Sequence, residues 1–390
     1  MDTKDNSAPQ LETEQLLAAA RQRTGHSDFG DPAMFDALSR LVDALRSEAR
    51  LTPGGEQRTA ESIVATLANR LQVEDYLKSN SQLLDRPIEK PLFVFGLPRT
   101  GTTLAINLLT ADPARRAFMR WEAFASVPPA KAGELRSDPR YHAQQAQMEM
   151  SVKYVPHIAA MHYEDADSPT ECQFAMSPTF TAQVYDSQYH IPSYSDWFLH
   201  TDYLPAFRYH KRLMQLLQEN NGGRWTFKNP WHPLYLDALT TVYPDAQLVM
   251  THRDPADVVG SACSLVYHVR KLYSDDVDPV AVGEQLLRTF DLMIERAVAY
   301  EEEHGSNTIH HVQYRDLTAD PIETVRAIYS RFEEPFTPAA EAAMKAFLAE
   351  SPKGKHGKHE YSLADYGLTR EAIHDRFGKY IDWANIPVRR

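Results

Sequence analysis

Residues 92–104, LFVFGLPRTGTTL, join a short apolar run to a turn that contains two glycines. The apolar run at residues 92–95 predicts a buried parallel strand, and the apolar pattern resumes at helical length from Ala105. Gly96 and Gly101 let the backbone approach a ligand closely, and the first amides of the following helix point at the loop. The segment therefore predicts a binding site for an anion such as phosphate or sulfate.

The spacing of the two glycines, Gly-x4-Gly, is that of a nucleoside-triphosphate P-loop, which continues with Lys and Ser or Thr. Here Thr102 and Thr103 follow Gly101, so the lysine that contacts terminal phosphates is missing. Arg99 is the available substitute, and an ordinary ATPase or GTPase is not expected. The residues that we expect to bind the anion are Gly96, Pro98, Arg99, Thr100, Gly101, Thr102 and Thr103.

Apolar runs downstream of this loop alternate with amphipathic helical segments, a pattern typical of α/β proteins. We expect a P-loop-like domain of three layers, with a mainly parallel central sheet and helices on both faces. Ligands of such sheets bind at the carboxyl ends of the strands. Residues 1–88 predict a helical N-terminal extension, and residues 89–390 the domain that carries the site. Strands are expected at residues 92–95, 225–228, 248–252 and 308–314.

A second candidate phosphate site follows the strand at residues 248–252. Arg253 ends the strand, Asp254 and Pro255 supply a cap and a first-turn proline for the next helix, and Ser261 lies eight residues after Arg253. A guanidinium and a hydroxyl can converge there on one phosphate. From the residues alone, an arginine–carboxylate pair and a packing role for Ser261 remain open. Asp257 is interpreted as a first-turn acid favoured by the helix dipole.

Together, Pro-Arg-Thr-Gly-Thr-Thr at residues 98–103 and Arg-Asp-Pro with a serine at residues 253–261 resemble a known family. They resemble the sulfotransferases that use 3′-phosphoadenosine 5′-phosphosulfate, and the bacterial and tyrosylprotein enzymes more than the cytosolic steroid and phenol enzymes. The resemblance covers residues 91–111 and 225–357. It implies that the loop binds the 5′-phosphosulfate and that Arg253 and Ser261 bind the 3′-phosphate.

The same resemblance assigns roles to four further residues. Lys228 occupies the position of a catalytic lysine, and Tyr314 lies in a segment that in relatives is near the nucleotide base. Lys353 and Lys355 belong to a glycine-containing basic stretch that in relatives closes over the 3′-phosphate. From the residues alone, that stretch is equally a solvated charge run, and the Tyr314 segment is a capped turn.

An acceptor hydroxyl must lose its proton as its oxygen attacks sulfur, so a general base is required. The tyrosylprotein enzymes carry a catalytic glutamate at a similar distance after their loop, which favours Glu122 here; the alternative is a surface carboxylate beside Arg120. His232, four residues after Lys228, is the rival, since histidine is the commonest general base. Its alternative is a hydrogen-bonded histidine at a helix start. We expect Glu122 to accept the proton while Arg99 and Lys228 stabilise charge.

The segment 113–224 is the expected acceptor-binding region, because aromatic residues are dense within residues 180–209. Core filling explains this density about as well as an apolar acceptor pocket does. The pocket interpretation predicts a hydroxyl-bearing small molecule of apolar or aromatic character.

The composition is that of a globular protein: 390 residues with 43% hydrophobic and 24% charged residues. The net charge of −12 argues against a nucleic-acid partner. Two cysteines, Cys172 and Cys263, lack metal-ligand spacing and predict a reducing cytoplasm with no metal cofactor. No apolar run is long enough to predict a membrane span. A homodimer through the N-terminal helices is left open.

The sequence thus predicts an enzyme that moves the sulfuryl group of 3′-phosphoadenosine 5′-phosphosulfate to a hydroxyl acceptor by in-line transfer. Two alternatives remain at this point. A nucleotide-dependent kinase would recruit magnesium to offset the charge of its triphosphate. A nucleotide-binding protein without catalysis would keep the loop but need no base.

Overall fold

The computed structural model of the protein describes residues 10–155, 164–350 and 361–388. The strands in these ranges are β1 (Leu92–Gly96), β2 (Arg115–Ala117), β3 (Arg224–Lys228), β4 (Gln247–His252) and β5 (Ile309–Gln313). They form one sheet in the order β2-β3-β1-β4-β5, and all the pairings are parallel. The predicted α/β fold with a parallel sheet is confirmed. β2 was not predicted, because three edge residues, two of them arginines, leave no apolar strand pattern.

Two buried clusters cover the two faces of the sheet. Alternate residues of β1 enter different clusters: Phe93 and Phe95 enter one, and Leu92 and Val94 enter the other. This alternation follows from the period of two along a strand. All residues of β1 are buried, which explains its uninterrupted apolar sequence. The fold therefore has three layers, as expected.

Helices precede the sheet and then alternate with its strands. The helices before the sheet are α1 (Thr13–Thr24), α2 (Ala33–Ser47) and α3 (Pro53–Ser79). Those between β1 and β3 are α4 (Thr102–Ala111), α5 (Arg120–Phe124), α6 (Pro139–Tyr154), α7 (Cys172–Met176), α8 (Gln183–Gln188), α9 (Pro192–His200) and α10 (Leu204–Leu217). Those after β3 are α11 (Leu236–Val242), α12 (Pro255–Arg270), α13 (Pro279–His304), α14 (Tyr314–Ala319), α15 (Pro321–Arg331), α16 (Pro338–Glu350), α17 (Arg370–Arg376) and α18 (Gly378–Trp383).

The N-terminal helices pack into the same core as the sheet. Leu38 of α2 and Leu67 of α3 belong to the buried cluster that contains Phe93 of β1. Arg70 of α3 is buried and donates hydrogen bonds to the carbonyl oxygens of Phe29 (2.6 Å) and Pro178 (3.0 Å). These contacts tie the N-terminal helices to the middle of the chain. The division into domains at residue 88 stays a prediction.

Gly96 permits the close approach of β1 to β4 at the end of the sheet that carries the loop. Its φ is 144°, and a Cβ atom there would lie 2.3 Å from the carbonyl oxygen of Thr251. Any side chain would therefore push the two strand ends apart.

In none of the described helices is there an apolar stretch long enough to cross a membrane.

Candidate active site

A cavity of about 730 Å³ lies at the carboxyl end of the sheet. Residues that follow four strands line it: Pro98 after β1, Pro230 after β3, Arg253 after β4 and Tyr314 after β5. Parallel sheets bind their ligands at this edge, because the strand ends and the helix N-termini point there together. The cavity is therefore the candidate active site.

The loop after β1 forms one end of the cavity, and its shape depends on two unusual backbone conformations. Gly101, at the N-cap position of α4, has φ 99°, and Arg99 has φ 70°. A Cβ atom on Gly101 would lie 2.9 Å from the ring of Tyr314, so a side chain would also collide there. Because glycine offers no side-chain acceptor, the first amides of α4 have no competing cap. The loop residues that line the cavity are Pro98, Arg99, Gly101, Thr102 and Thr103.

Thr100 and Gly96 lie behind the loop rather than in the cavity lining. Thr100 is buried, and its Oγ1 donates to the carbonyl oxygen of Leu97 at 2.7 Å and lies 2.6 Å from Oγ1 of Thr251. These bonds join the loop to the end of β4. Ligand binding by these two residues stays a prediction.

Arg99 and Arg253 meet at the same end of the cavity. Arg99 Nε donates to Oγ of Ser261 at 3.1 Å, and Arg253 Nη1 donates to the carbonyl oxygen of Arg99 at 3.2 Å. The guanidinium of Arg253 also lies 4.5 Å from the ring centre of Tyr314. Burial, followed by the nearby positive charge of Arg253, lowers the pKa of Arg99. Two neighbouring guanidinium groups create a positive potential that suits an anion with several negative charges.

The opposite end of the cavity is apolar. One face of α12 lines it with Ala262, Leu265, Val266 and Val269. These residues recur at helical spacing, so they form a continuous wall along the helix. Further apolar lining comes from Phe174, Val184, Trp231 and Leu286.

Glu171 brings a carboxylate to the cavity, and Lys228 holds it. Glu171 lines the cavity, and its Oε1 accepts a hydrogen bond of 3.0 Å from Nζ of Lys228. Lys228 is fully buried and lies 3.7 Å from Oε1 of Glu164. Burial alone would lower the pKa of Lys228, but Glu171 and Glu164 outweigh it and the pKa is raised. Lys228 is therefore charged at neutral pH.

The comparisons with known proteins identify the family. Residues 91–338 match the profile described as the sulfotransferase family. The chain belongs to this family. It is 33% identical to the sulfotransferase STF9 from Mycobacterium avium over 99% of both chains, with a TM-score of 0.91.

A second solved structure gives the same result. The sulfotransferase STF1 from Mycobacterium tuberculosis H37Rv is 33% identical and has a TM-score of 0.86, over 96% of this chain and 100% of that one. A search of curated proteins found no match. The bacterial sulfotransferase predicted from the loop is confirmed, and the kinase and non-catalytic alternatives are set aside.

The predicted base, Glu122, lies outside the cavity lining of this sulfotransferase. It is fully buried in α5, where its Oε1 accepts a 2.7 Å hydrogen bond from Arg116 Nη2 and its Oε2 accepts one from the amide of Met119 at 3.1 Å. Burial raises the pKa of Glu122, although Arg116 opposes this shift. The alternative, a surface carboxylate beside Arg120, is wrong, because Glu122 is buried and pairs with Arg116. Glu122 is a buried partner of Arg116 that caps its own helix.

The rival base, His232, also lies outside the cavity lining. It is fully buried, and its ring lies among those of Phe93 (5.3 Å between centroids), Phe207 (5.8 Å) and Tyr235 (5.6 Å). Neither ring nitrogen has a hydrogen-bond partner in the described part of the chain. Burial holds the pKa of His232 well below its usual range. His232 therefore lies in an aromatic core, and the alternative of a hydrogen-bonded histidine at a helix start is wrong.

The aromatic segment at residues 180–209 contributes little to the cavity. Phe180, Tyr194 and Phe207 belong to the main buried cluster, and Oη of Tyr194 donates to the carbonyl oxygen of Phe180 at 2.7 Å. From this segment only Val184, Ser187 and Gln188 appear in the lining. The core interpretation of the aromatic density is therefore correct, and the apolar wall comes from α12 instead.

Two predicted residues, Lys353 and Lys355, lie outside the described residues. Within the described ranges, no group of three His, Cys, Asp or Glu side chains is arranged to hold a metal ion.

The environment of His232 predicts a pH-dependent stability. Below its unfolded-state pKa of about 6.5, His232 takes up a proton in the unfolded chain but not in the folded core, so acid favours unfolding. For His232→Phe, the loss of unfolding free energy between pH 6.5 and 5 should become shallower, by up to about 1.4 kcal/mol per pH unit. Urea denaturation across this range measures the slope.

Phe207→Leu is the matched control, since it disturbs the same aromatic cluster without removing a titrating group. It should lower stability and leave the slope unchanged. A wild-type slope in His232→Phe would show that His232 is protonated in the folded state.

Proposed function

We propose that this sulfotransferase moves the sulfuryl group of 3′-phosphoadenosine 5′-phosphosulfate to a hydroxyl acceptor by in-line displacement. One observation carries the proposal: Arg99 and Arg253 meet the N-terminus of α4 at one end of a cavity whose other end is apolar. The cationic end suits a donor with two separate anionic groups. The apolar end suits the body of an acceptor. A cytoplasmic location and a homodimer stay predictions.

Two neighbouring subsites would hold the donor. The 5′-phosphosulfate fits the loop, where Arg99 and the first residues of α4 line the cavity and a helix N-terminus favours an anion. The 3′-phosphate fits Arg253 and Ser261, which are linked through Arg99 by hydrogen bonds of 3.2 and 3.1 Å. Tyr314 lies against Arg253 and offers an aromatic face to the nucleotide.

Arg253→Ala tests the 3′-phosphate subsite. A charged hydrogen bond is worth about 1.5–3 kcal/mol, so the variant should bind adenosine 3′,5′-bisphosphate roughly 10- to 100-fold more weakly. Binding of adenosine 5′-phosphosulfate, which lacks the 3′-phosphate, should change little. Isothermal titration with both ligands measures the difference. Equal losses for the two ligands would refute the assignment.

In-line transfer needs a base beside the acceptor, opposite the leaving phosphate. The acceptor oxygen bonds to sulfur, the bond between sulfur and the phosphate oxygen breaks, and the acceptor proton moves to the base. Among the described residues that line the cavity, Glu171 is the one with a carboxylate, and Phe174 lies three residues after it. We assign the base to Glu171 in place of Glu122 or His232.

Lys228 would act through Glu171 rather than on the donor directly, because its side chain is fully buried behind the carboxylate. In the resting enzyme, the hydrogen bond from Nζ of Lys228 to Oε1 orients the carboxylate of Glu171. Once Glu171 takes the proton, Lys228 loses that negative partner and retains Glu164 at 3.7 Å. The charge of Lys228 is then less compensated as negative charge develops on the leaving phosphate, which Arg99 stabilises.

Glu171→Gln and Glu122→Gln separate the two candidates. General-base catalysis supplies about 10²–10⁴-fold, so Glu171→Gln should lower kcat by at least 10²-fold with bisphosphate binding nearly unchanged. Glu122→Gln should retain turnover but lose about 3 kcal/mol of stability, since it breaks a buried ion pair. Single-turnover rates and urea denaturation of both variants measure these effects. The opposite ranking of rates would return the role to Glu122.

The acceptor is proposed to be an apolar or aromatic alcohol. The lining residues 262–269 of α12 span roughly 10 Å along the helix, since each residue adds about 1.5 Å. Among the described residues, the segment 171–188 adds the polar side chains of Glu171, Gln173, Ser187 and Gln188 to the lining. A sugar would leave many hydroxyl groups facing apolar side chains without hydrogen bonds, which costs binding energy.

Leu265→Gln tests this acceptor class. The variant should raise KM for a phenol or a long-chain alcohol by roughly 10-fold, because burying an apolar group against leucine is worth about 1.5–3 kcal/mol. Affinity for adenosine 3′,5′-bisphosphate should not change, which serves as the internal control. Efficient sulfation of a free hexose, with no turnover of phenols or apolar alcohols, would contradict the proposal.

A further inference from the structure

Helix α17 contacts the start of α12, where the proposed 3′-phosphate subsite lies. Arg370 bridges two carboxylates of α12: its Nη1 is 3.1 Å from Oδ2 of Asp254, and its Nη2 is 2.7 Å from Oδ1 of Asp257. Nε2 of His374 lies 2.8 Å from Oδ1 of Asp254. The helix thus places cationic and polar groups on the acidic first turn of α12.

Asp254 and Asp257 have different tasks in this turn. Asp254 is the N-cap of α12, and its Oδ1 accepts a 2.9 Å hydrogen bond from the amide of Ala256. Asp257 lies between two arginines, with Oδ1 on Arg370 and Oδ2 at 3.6 Å from Nη2 of Arg253. The bond to Arg370, at 2.7 Å, is much the shorter of the two. Asp257 is therefore held mainly by Arg370.

This arrangement matters because Asp257 and a bound phosphate would compete for Arg253. At a separation of about 4 Å near a protein surface, two unit charges interact strongly enough to change the affinity for a charged ligand. A carboxylate without Arg370 would pair more closely with Arg253 and would also repel an incoming phosphate. Arg370 removes both effects by neutralising Asp257.

The C-terminal segment, residues 361–388, packs closely against the first turns of α12 around Gly260. Oη of Tyr361 donates to the carbonyl oxygen of Asp257 at 2.9 Å. A Cβ atom on Gly260 would lie 2.3 Å from the ring of Tyr361, so a side chain there would displace the segment. Ile373 of α17 is 1% exposed and anchors the helix in the core. The backbone of α17 is therefore held in place, and Arg370 projects from a fixed position.

We propose that Arg370 is a positioning residue for donor binding, which neutralises Asp257 and thereby leaves Arg253 available to the 3′-phosphate. The inference rests on the proposed function, in which Arg253 binds that phosphate. Arg370 does not line the cavity and acts through Asp257. Its effect should appear in the part of the affinity that the 3′-phosphate contributes.

The test compares adenosine 3′,5′-bisphosphate with adenosine 5′-monophosphate by isothermal titration, since the ratio of their affinities isolates the 3′-phosphate. In Arg370→Gln this ratio should fall by roughly 10-fold, within the usual range of coupling between contacting charges. Affinity for the monophosphate should stay within about 2-fold, which a general loss of structure would not allow. Adding Asp257→Asn should restore the ratio to within about 3-fold of wild type.

Arg376→Gln is the matched control, because Arg376 lies on the same helix but pairs with Asp291. It should leave the ratio unchanged. If Arg370→Gln does not fold, Arg370→Lys replaces it: lysine keeps a charge but cannot bridge both carboxylates, so the ratio should fall by less.

Two results would overturn the inference: a wild-type ratio in the Arg370 variant, or a double variant that stays as weak as the single one. If the wild-type enzyme binds the two nucleotides equally well, the 3′-phosphate subsite at Arg253 is refuted, and with it the role of Arg370. If only the Arg370 variants give an unexpected ratio, the role of Arg370 alone is refuted.

Discussion

The adjacency of the ends of β1 and β4 is the constraint on which the site depends. These strands pair in parallel from Leu92 opposite Gln247 to Gly96 opposite Thr251, so the loops that follow them begin side by side. Arg253 can reach the carbonyl oxygen of Arg99 only because of this register. A shift of one residue would turn every side chain of a strand to the other face and would separate the two arginines.

Bringing two guanidinium groups together costs free energy that the fold must offset. Arg253 is held by the Arg99 carbonyl oxygen, the Tyr314 ring and Asp257, while Arg99 is held by Ser261. These partners orient the cations before any ligand arrives, so little reorganisation is needed when an anion binds. The electrostatic potential is therefore locally positive around Arg99 and Arg253, within a chain whose net charge is −12.

Local sequence patterns predicted four of the five described strands and the loop after β1, because an apolar strand followed by a glycine turn is specified by neighbouring residues. The position of the expected base depends instead on contacts between residues that are distant in sequence. Glu122 is close to the loop in sequence, but β2 is an edge strand, and the buried Arg116 of that strand captures its carboxylate. Glu171 reaches the cavity through an isolated bridge with Lys228, a contact across 57 residues that no motif indicates. Arg370 is similarly remote from Asp257 in sequence.

A single helix, α12, contributes to both the proposed donor site and the proposed acceptor site. Its first turn lies beside Arg253 and carries Asp257, while Leu265 and Val269 form the apolar wall further along the same helix. A helix of this length is stiff and is packed against α13 and the C-terminal segment, so the distance between its two contributions is fixed. Donor and acceptor can then be aligned without a conformational change in α12. Reacting groups held in this way avoid much of the entropy cost of bringing two molecules together.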